Sequence, residues 1–330
     1  TAGKHSAGDS LFLVSLTVPS TLAPDFSNVL QNATSLPVPL LNVDSAVDFK
    51  VLKSWKHPGG NVARVAVSPN LEKAAACGLD GVVYLYDLKD LAAPVSEFKY
   101  HKQAVSAIEW VDDSRFFSGS NDTQIALWEV LKPSTPIQVF KSHTAAINDI
   151  SYNKHGNGVF VSVADDHTIQ IHDLKARKTL VEALEASVVQ IDTEDIVNAV
   201  AFHPDIATLF LAGGDDNTVS LYDLRKPQKP IRKFFGHNDT VVGVQWDPLA
   251  EPTSFLSWGL DRRVLLWDIS ALDEEFTYPT AEEPTNSRRK PVRTADPCLK
   301  FIHGGHTRLV NGAAFHPAIK GVLASCGSDH

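Results

Sequence analysis

The stretch VNAVAFHPDIATLFLAGGDDNTVSLYDLR, from Val197 to Arg225, decides the fold. It predicts, in order, a buried strand from Val197 to Phe202, a His-Pro turn, a second strand from Leu209 to Gly213, a tight turn at Asp215 and Asp216, and a third strand from Thr218 to Asp223. Each predicted strand is rich in Val, Leu, Phe or Tyr and is bounded by turn-forming residues. A three-stranded meander cannot bury its own two faces, so it requires neighbours.

The same frame recurs along the chain. An aspartate occupies the tight turn of each unit: Asp80, Asp122, Asp166, Asp216, Asp261 and Asp329. A ring-bearing residue follows six positions later in the first five units: Tyr86, Trp128, His172, Tyr222 and Trp267. A histidine opens most units: His57, His101, His143, His237 and His306. Because the first five turn aspartates lie 42 to 50 residues apart, the pattern indicates a repeat architecture.

These repeats resemble those of the WD-repeat β-propeller, in which small antiparallel sheets form a ring. Five full repeats are expected at about 51–91, 95–131, 137–175, 178–225 and 230–269, and an incomplete sixth starts near Leu299. The strand predicted from Leu11 to Val18 is expected to close the ring with the other end of the chain. Together, the five full repeats, the incomplete sixth and this terminal strand predict an all-β, seven-bladed propeller, with eight blades as the alternative.

We interpret residues 1–330 as one WD-repeat domain with an incomplete last blade. Within it, 19–47 is an irregular connection rich in Pro, Ser and Asn, and 270–300 is an insertion loop. The chain begins without Met, shows no signal peptide and stops within a repeat at His330, which suggests a trimmed fragment. The resemblance implies that the repeating His, Asp and Trp residues hydrogen-bond one another inside each blade, and so are structural.

Composition narrows the class of protein. The longest apolar runs fall short of the roughly 18 residues of a membrane span. Cys77, Cys298 and Cys326 have no metal-ligand spacing and cannot form a paired disulfide framework, which fits the cytosol or nucleus. The net charge of -9 and the pI near 5.8 disfavour naked nucleic acid and favour basic partners. No metal or cofactor is predicted.

The interval between Asp268 and His306 is roughly 23 residues longer than the corresponding interval in neighbouring repeats. The insertion carries acidic residues first and basic residues after them. The acidic residues are Asp273, Glu274, Glu275, Glu282 and Glu283, and the basic ones are Arg288, Arg289, Lys290 and Arg293. A loop of this length in a compact repeat protein is either functional or merely disordered.

The run LDRRVLLWDISALDEE, from Leu260, and FIHGGHT, from Phe301 to Thr307, resemble the histone-binding WD-repeat family of retinoblastoma-associated chaperones. Members of this family are the shared small subunits of chromatin assembly factor, of the type B histone acetyltransferase, and of deacetylase and Polycomb complexes. The resemblance implies a non-enzymatic protein of the nucleus, with a cytoplasmic pool as an alternative. It also implies histones H3 and H4 and other subunits of a chromatin complex as partners, without a membrane or sequence-specific nucleic acid.

The resemblance further implies a groove for a helix of histone H4. Phe301 would form its apolar floor, and acidic side chains would receive Arg or Lys. The groove residues are predicted to be Asp273, Glu274, Glu275, Glu282, Glu283, Asp296 and Phe301. For Phe301 the alternative is an ordinary strand residue. The basic run Ser287 to Arg293 departs from the family's more uniformly acidic loop.

A second family surface lies on the top of the ring, where acidic residues bind the tail of histone H3 or similar peptides. The corresponding positions here are predicted to be Asn61, Ala104, Asn148, Asp165, Asn198 and Thr240. Only Asp165 keeps a carboxylate, and each lost carboxylate removes a charge-assisted hydrogen bond. Tail binding on this face is therefore expected to be weaker or differently selective.

Two other functions remain open at this point. An enzyme would need a base held against a nucleophile, and the histidines outside the repeat positions show neither a nucleophile elbow nor metal spacing. A WD-repeat scaffold outside chromatin, such as a ubiquitin-ligase substrate receptor or a trafficking adaptor, is allowed by the fold alone.

Overall fold

A computed structural model describes residues 10–16, 49–89, 94–156, 158–175, 187–249, 253–272, 296–317 and 321–328. Over these ranges the chain forms 24 β-strands in seven antiparallel sheets, five of four strands and two of two strands. The prediction of an all-β propeller is confirmed. We number the four-stranded sheets blades 1 to 5 and refer to the two others as the N-terminal and C-terminal sheets.

The strand bounds follow the turn residues of the sequence. The N-terminal sheet contains β1 (Ser10–Leu16) and β2 (Phe49–Lys56). Blade 1 contains β3 (Val62–Val67), β4 (Lys73–Gly78), β5 (Val82–Asp87) and β6 (Ser96–Lys99). Blade 2 contains β7 (Val105–Asp112), β8 (Arg115–Ser120), β9 (Ile125–Glu129) and β10 (Gln138–Phe140). Blade 3 contains β11 (Ile147–Tyr152), β12 (Val159–Ala164), β13 (Thr168–Asp173) and β14 (Ser187–Asp192).

The remaining sheets repeat this order. Blade 4 contains β15 (Val197–Phe202), β16 (Leu209–Gly214), β17 (Thr218–Asp223) and β18 (Arg232–Phe235). Blade 5 contains β19 (Val241–Trp246), β20 (Ser254–Gly259), β21 (Val264–Asp268) and β22 (Leu299–His303). The C-terminal sheet contains β23 (Val310–Phe315) and β24 (Leu323–Gly327).

The first strand pairs with the strand that follows it in the sequence, and its expected closure of the ring with the other end of the chain stays a prediction. Over the described residues β1 pairs with β2, from Ser10 opposite Lys56 to Leu16 opposite Phe49, and the C-terminal sheet contains only β23 and β24. Leu11, Leu13 and Trp55 pack against β4 and β5 of blade 1. The first predicted repeat therefore begins with the outer strand of the preceding sheet.

The core lies between sheets. Each buried cluster contains side chains from the facing surfaces of two neighbouring sheets. Phe234 of blade 4, for example, packs on Phe255 and Trp267 of blade 5. The strands β3, β7, β11, β15, β19 and β23 contact one another in sequence and line a central cavity of about 570 Å³. Aromatic and branched side chains fill each interface, which is why the alternating apolar pattern recurs with every repeat.

The inner strand of blade 1 is an exception to this burial. Val65 and Val67 are each 46% exposed. The equivalent residues of the next four inner strands are buried: Ile108, Ile150, Val200 and Val244, and then Trp110, Tyr152, Phe202 and Trp246. The N-terminal sheet leaves Val65 and Val67 uncovered because it packs on β4 and β5.

Candidate partner-binding surfaces

A buried polar network ties the loop that enters a blade to its tight turn. In blade 5, His237 Nδ1 lies 3.0 Å from Asp261 Oδ2 and Nε2 lies 2.7 Å from Ser257 Oγ, which also accepts a 2.8 Å bond from Trp267 Nε1. Blade 2 repeats it with His101, Asp122, Ser118 and Trp128, and blade 3 with His143, Asp166, Ser162 and His172. The network contains the residue types of a catalytic triad.

The serine of this network is not accessible to a substrate. Ser118, Ser162 and Ser257 are fully buried, and each hydroxyl also bonds the ring nitrogen at the Trp position. A nucleophile must reach a reacting atom in an open site. The geometry therefore supports a structural role, as the resemblance implies.

The turn aspartates of these blades are held ionised. Burial opposes ionisation of Asp122, Asp166 and Asp261, but hydrogen bonds from histidine and backbone N–H groups outweigh it. Their pKa values consequently lie below the ordinary value. Such groups contribute stability that is present above the ordinary carboxyl pKa of about 3.9 and is lost as the pH falls below it.

Blades 1 and 4 depart from the network. In blade 1, His57 Nδ1 lies 2.9 Å from Tyr86 Oη, and Tyr84 Oη donates to Asp80 over 2.7 Å. Blade 4 has no opening histidine, and Lys233 Nζ bonds Asp216 Oδ2 over 2.8 Å instead. The tight turn keeps its aspartate in both blades because Val82 N–H and Thr218 N–H bond that carboxylate.

Both ends of the predicted insertion are anchored at the interface of blades 4 and 5. Asp268 accepts a hydrogen bond from Ser270 N–H where a short 3₁₀ turn, Ile269–Ala271, begins. Leu272 and Cys298 pack in the same core cluster. Five predicted groove acids lie outside the described residues: Asp273, Glu274, Glu275, Glu282 and Glu283.

Asp296, predicted as a groove acid, lies inside the protein. It is 3% exposed and its carboxylate forms a 2.9 Å ion pair with Arg232 of β18. Its two oxygens also accept hydrogen bonds from Cys298 N–H and Phe235 N–H. Because these partners enclose the carboxylate, Asp296 cannot receive a basic side chain from solvent, and we remove it from the predicted surface.

Phe301 lies on the surface at the outer edge of blade 5. It is 53% exposed on β22, the outermost strand, and the next residue, Ile302, is 46% exposed. Successive strand residues point to opposite faces, so the strand offers apolar surface on both sides. The outer strands β6 and β18 carry Glu97, Lys99 or Lys233 in this region, whereas the outer strand β2 exposes Val51 and Leu52 as β22 exposes its apolar pair.

The top-face residues occupy two kinds of position. Asn61 and Thr240 immediately precede β3 and β19. Asn148 and Asn198 are instead the second residues of β11 and β15, at a β-bulge that recurs in every inner strand from β3 to β23. A bulge redirects the side chain of its extra residue.

The bulge asparagines hold exposed carboxylates at the ring's top. Asn148 Nδ2 donates to Asp165 Oδ1 over 2.8 Å and to Val197 O over 3.1 Å in the next blade. Asn198 makes the same pair of bonds, to Asp215 Oδ1 over 2.7 Å and to Val241 O over 3.4 Å. Asp215 was missed, although the Asn-to-Asp separation is the same 17 residues in both blades. Two neighbouring blades therefore each present one oriented carboxylate.

The central cavity contains a third group of charges that the sequence pattern did not indicate. Arg64, Glu109, Asp149 and Lys154 contribute to its lining. Arg64 Nη2 bonds Asp149 Oδ1 over 2.8 Å, and burial raises the pKa of Glu109 to about 7. In the described residues, no cluster of three His, Cys, Asp or Glu side chains has metal-binding geometry. The described part of the chain contains no helix able to cross a bilayer.

Comparison with known proteins finds WD repeats in four segments of the chain. The family model "WD domain, G-beta repeat" matches residues 49–87, 92–129, 134–173 and 187–223. Each match ends with the third strand of a blade, and the first and last begin with β2 and β14, which are outer strands of the preceding sheets. The sequence repeat is therefore offset by one strand from the structural blade.

The curated relatives include three yeast proteins, each called "Histone acetyltransferase type B subunit 2". The protein of Candida glabrata is 28% identical over 294 residues, covering 86% of this chain and 65% of the relative. That of Eremothecium gossypii is 29% identical over 342 residues, covering 99% and 73%. That of Kluyveromyces lactis is 30% identical over 207 residues, covering 59% and 48%. The chain spans less than two thirds of the length of the first and third relatives.

The four matched segments, the recurrent His–Asp–Ser networks and the succession of antiparallel sheets agree with one another. The chain carries WD repeats folded as the antiparallel sheets of a β-propeller, and it is similar to the type B histone acetyltransferase subunits 2 of yeasts.

Proposed function

We propose that this chain is a non-catalytic, chromatin-related WD-repeat subunit that binds histones H3 and H4 and presents them to partner subunits. The observation that carries the proposal is the exposed apolar edge of β22, where Phe301 and Ile302 follow the insertion directly in sequence. Exposed apolar residues that follow a carboxylate-bearing segment in the sequence suit a basic amphipathic helix as ligand.

The energetics suit this ligand. Fully burying an exposed phenylalanine side chain contributes about 1.5–3 kcal/mol. Because Phe301 is 53% exposed, its burial by a ligand would supply roughly half of that, so it adds affinity without dominating it. The proposed acidic partners are Asp273, Glu274, Glu275, Glu282 and Glu283, which would bond Arg or Lys of the helix. The overall charge of -9 would speed encounter with a basic protein at low ionic strength.

The relatives support the chromatin assignment through their printed name, as subunits of a type B histone acetyltransferase. By analogy, this chain would hold its histone ligand for a partner subunit in a histone-modifying or chromatin assembly complex. It would work in the nucleus. Its contribution would be binding and orientation, with the chemistry carried by another subunit.

Binding of the intact protein to recombinant H3–H4 and to a peptide of an H4 helix, across a series of salt concentrations, tests the proposal. Retention at low salt that weakens as salt rises would support it, because exposed charge pairs are screened. A scrambled peptide of the same charge serves as the control and should bind more weakly. No histone retention at low salt would refute the proposal and favour a WD-repeat scaffold outside chromatin.

A further inference from the structure

The return of the insertion to blade 5 is joined to blade 4 by one buried ion pair. Arg232 Nη2 lies 2.9 Å from Asp296 Oδ1, and the side chains are 8% and 0% exposed. Arg232 belongs to β18, the outermost strand of blade 4, whereas Asp296 lies three residues before β22. The pair therefore joins two blades at their outer edge.

Asp296 also organises the chain that follows it. Its Oδ1 accepts Cys298 N–H over 3.0 Å, its Oδ2 accepts Phe235 N–H over 3.3 Å, and its backbone carbonyl accepts Leu299 N–H over 2.9 Å. Cys298 is buried and its carbonyl accepts Asp268 N–H over 2.8 Å. One carboxylate thus fixes the turn from which β22 starts.

The arginine lies on the blade that contacts the described C-terminal end of the insertion. Strand pairing places Arg232 opposite Leu221, and the equivalent residues of the other outer strands are Ser96, Gln138, Val189 and Phe301. None of these is charged. Since a buried charge is costly unless it is paired, an arginine at this register requires a local acceptor, which the returning chain supplies as Asp296.

A buried ion pair is weak as a source of net stability, because desolvation of the two charges offsets their attraction. Its stronger effect is to favour one arrangement over others, since a displaced partner leaves an uncompensated charge in the interior. Here the arrangement that it selects is the start of β22. Phe301 and Ile302 follow Asp296 by five and six residues in the sequence.

We infer that Arg232 and Asp296 form a positioning pair, which sets β22 so that Phe301 and Ile302 are presented to the partner. The inference rests on the proposed function for the identity of that partner. It assigns the pair no contact with the ligand.

The test compares three variants. Arg232→Met/Asp296→Asn removes both charges with similar side-chain volumes, and so avoids the isolated buried charge that either single change would create. Arg225→Met is the matched control, because Arg225 pairs with Asp223 on the same blade but its side chain is 74% exposed. Asp296→Asn alone reports the effect of leaving Arg232 without its ionic partner.

Hydrogen exchange and peptide affinity are measured together. In the double variant, amides of residues 298–303 should exchange at least about tenfold faster, and the dissociation constant for the H4 helix peptide should rise about tenfold, equivalent to about 1.4 kcal/mol. The strands β15 to β17 should keep their protection. Arg225→Met should change neither quantity.

Unchanged exchange at residues 298–303 in the double variant would overturn the inference, as would acceleration spread evenly over the blades. Faster local exchange with unchanged peptide affinity would also overturn it. If the wild-type protein binds no H4 peptide, the proposed function fails, and exchange alone then decides whether the pair positions β22.

Discussion

The guanidinium of Arg64 lies 2.8 Å from the carboxylate of Asp149 and so connects blade 1 directly to blade 3. The inner strand of blade 2 runs between them in the order of strands, since β3 contacts β7 and β7 contacts β11. The second oxygen of Asp149 accepts Val200 N–H over 3.1 Å from blade 4. Burial raises the pKa of Asp149, and the charge of Arg64 opposes this rise.

Arg64→Met should lower the free energy of unfolding by about 2 kcal/mol at pH 8. This is less than the loss for a fully buried pair, because Arg64 is 40% exposed. A carboxyl whose pKa is raised in the folded state destabilises the fold when it is ionised, so the loss should shrink as the pH falls and Asp149 takes up a proton. Urea denaturation at pH 5 and pH 8 measures both values. A loss that is equal at the two pH values would contradict this account.

Glu109 should make the protein less stable as the pH rises. Burial raises its pKa from 4.5 to about 7, with Lys154 opposing and Asp149 reinforcing the rise. The folded state therefore holds a proton that the unfolded state has released, and the penalty grows between pH 4.5 and 7. Glu109→Gln should stabilise the protein at pH 8 by on the order of 2 kcal/mol and should have little effect at pH 4.5. Lys154→Met should increase the stability that is lost as the pH rises, because the lysine charge no longer favours the ionised form of Glu109. A Glu109→Gln effect independent of pH would refute the titration.

Ser257→Ala tests the buried network of blade 5. The change leaves Trp267 Nε1 and His237 Nε2 without their shared partner, and we expect a loss of about 2–3 kcal/mol. Ser254→Ala, at the start of the same strand, should change stability by less than about 0.5 kcal/mol. Chemical denaturation of both variants gives the comparison. Equal effects would mean that the network contributes little.

Gly243 makes room for one oversized side chain. A Cβ at this position would lie 2.0 Å from Cζ2 of Trp258, its partner across β19 and β20. Gly243→Ala should therefore cost about 1–3 kcal/mol through overpacking. In a Trp258→Val background, which places the residue type of Val163 from blade 3 at this register, the same change should cost much less. Equal costs in both backgrounds, measured by thermal unfolding, would contradict the steric explanation.

Phe301→Asp tests the proposed partner surface. Because Phe301 is 53% exposed, the substitution should leave the fold intact while the affinity for the H4 helix peptide falls at least about tenfold. Leu131→Asp, at a more exposed apolar residue of another blade, is the control and should bind like the wild type. Calorimetric titration measures the affinities. Unchanged affinity in Phe301→Asp would discard the groove.

The repeating frame could be predicted because its determinants are local. A turn aspartate accepts a backbone N–H only two residues away, as Thr168 N–H bonds Asp166, and the ring position follows within the same hairpin. These contacts impose fixed spacings that are visible in a linear sequence. The strand bounds of Val197–Phe202 and Thr218–Asp223 follow directly from them.

The contacts that the sequence does not reveal depend on distant partners. Asp296 is buried because an arginine 64 residues earlier in the sequence contacts it. Its position just after the charged insertion gives no indication of that contact. The pairing of β1 with β2 joins segments on either side of a 32-residue connection. Arg64 and Asp149 are 85 residues apart. Neither spacing nor composition constrains contacts at such separations.

The tight turns share a backbone feature with a consequence for variation. The residue after the turn aspartate has a positive φ in all five blades: Gly81, Thr123, His167, Asn217 and Arg262. Only the first is glycine, the residue that adopts this conformation freely. The aspartate carboxylate stabilises each turn by accepting a hydrogen bond from the backbone N–H two residues later. Four of these tips can therefore carry a hydroxyl, an imidazole, an amide or a guanidinium on the same scaffold, so the rim is free to diversify there. Gly81 is the exception, because a Cβ would lie 2.8 Å from the backbone oxygen of Gln103.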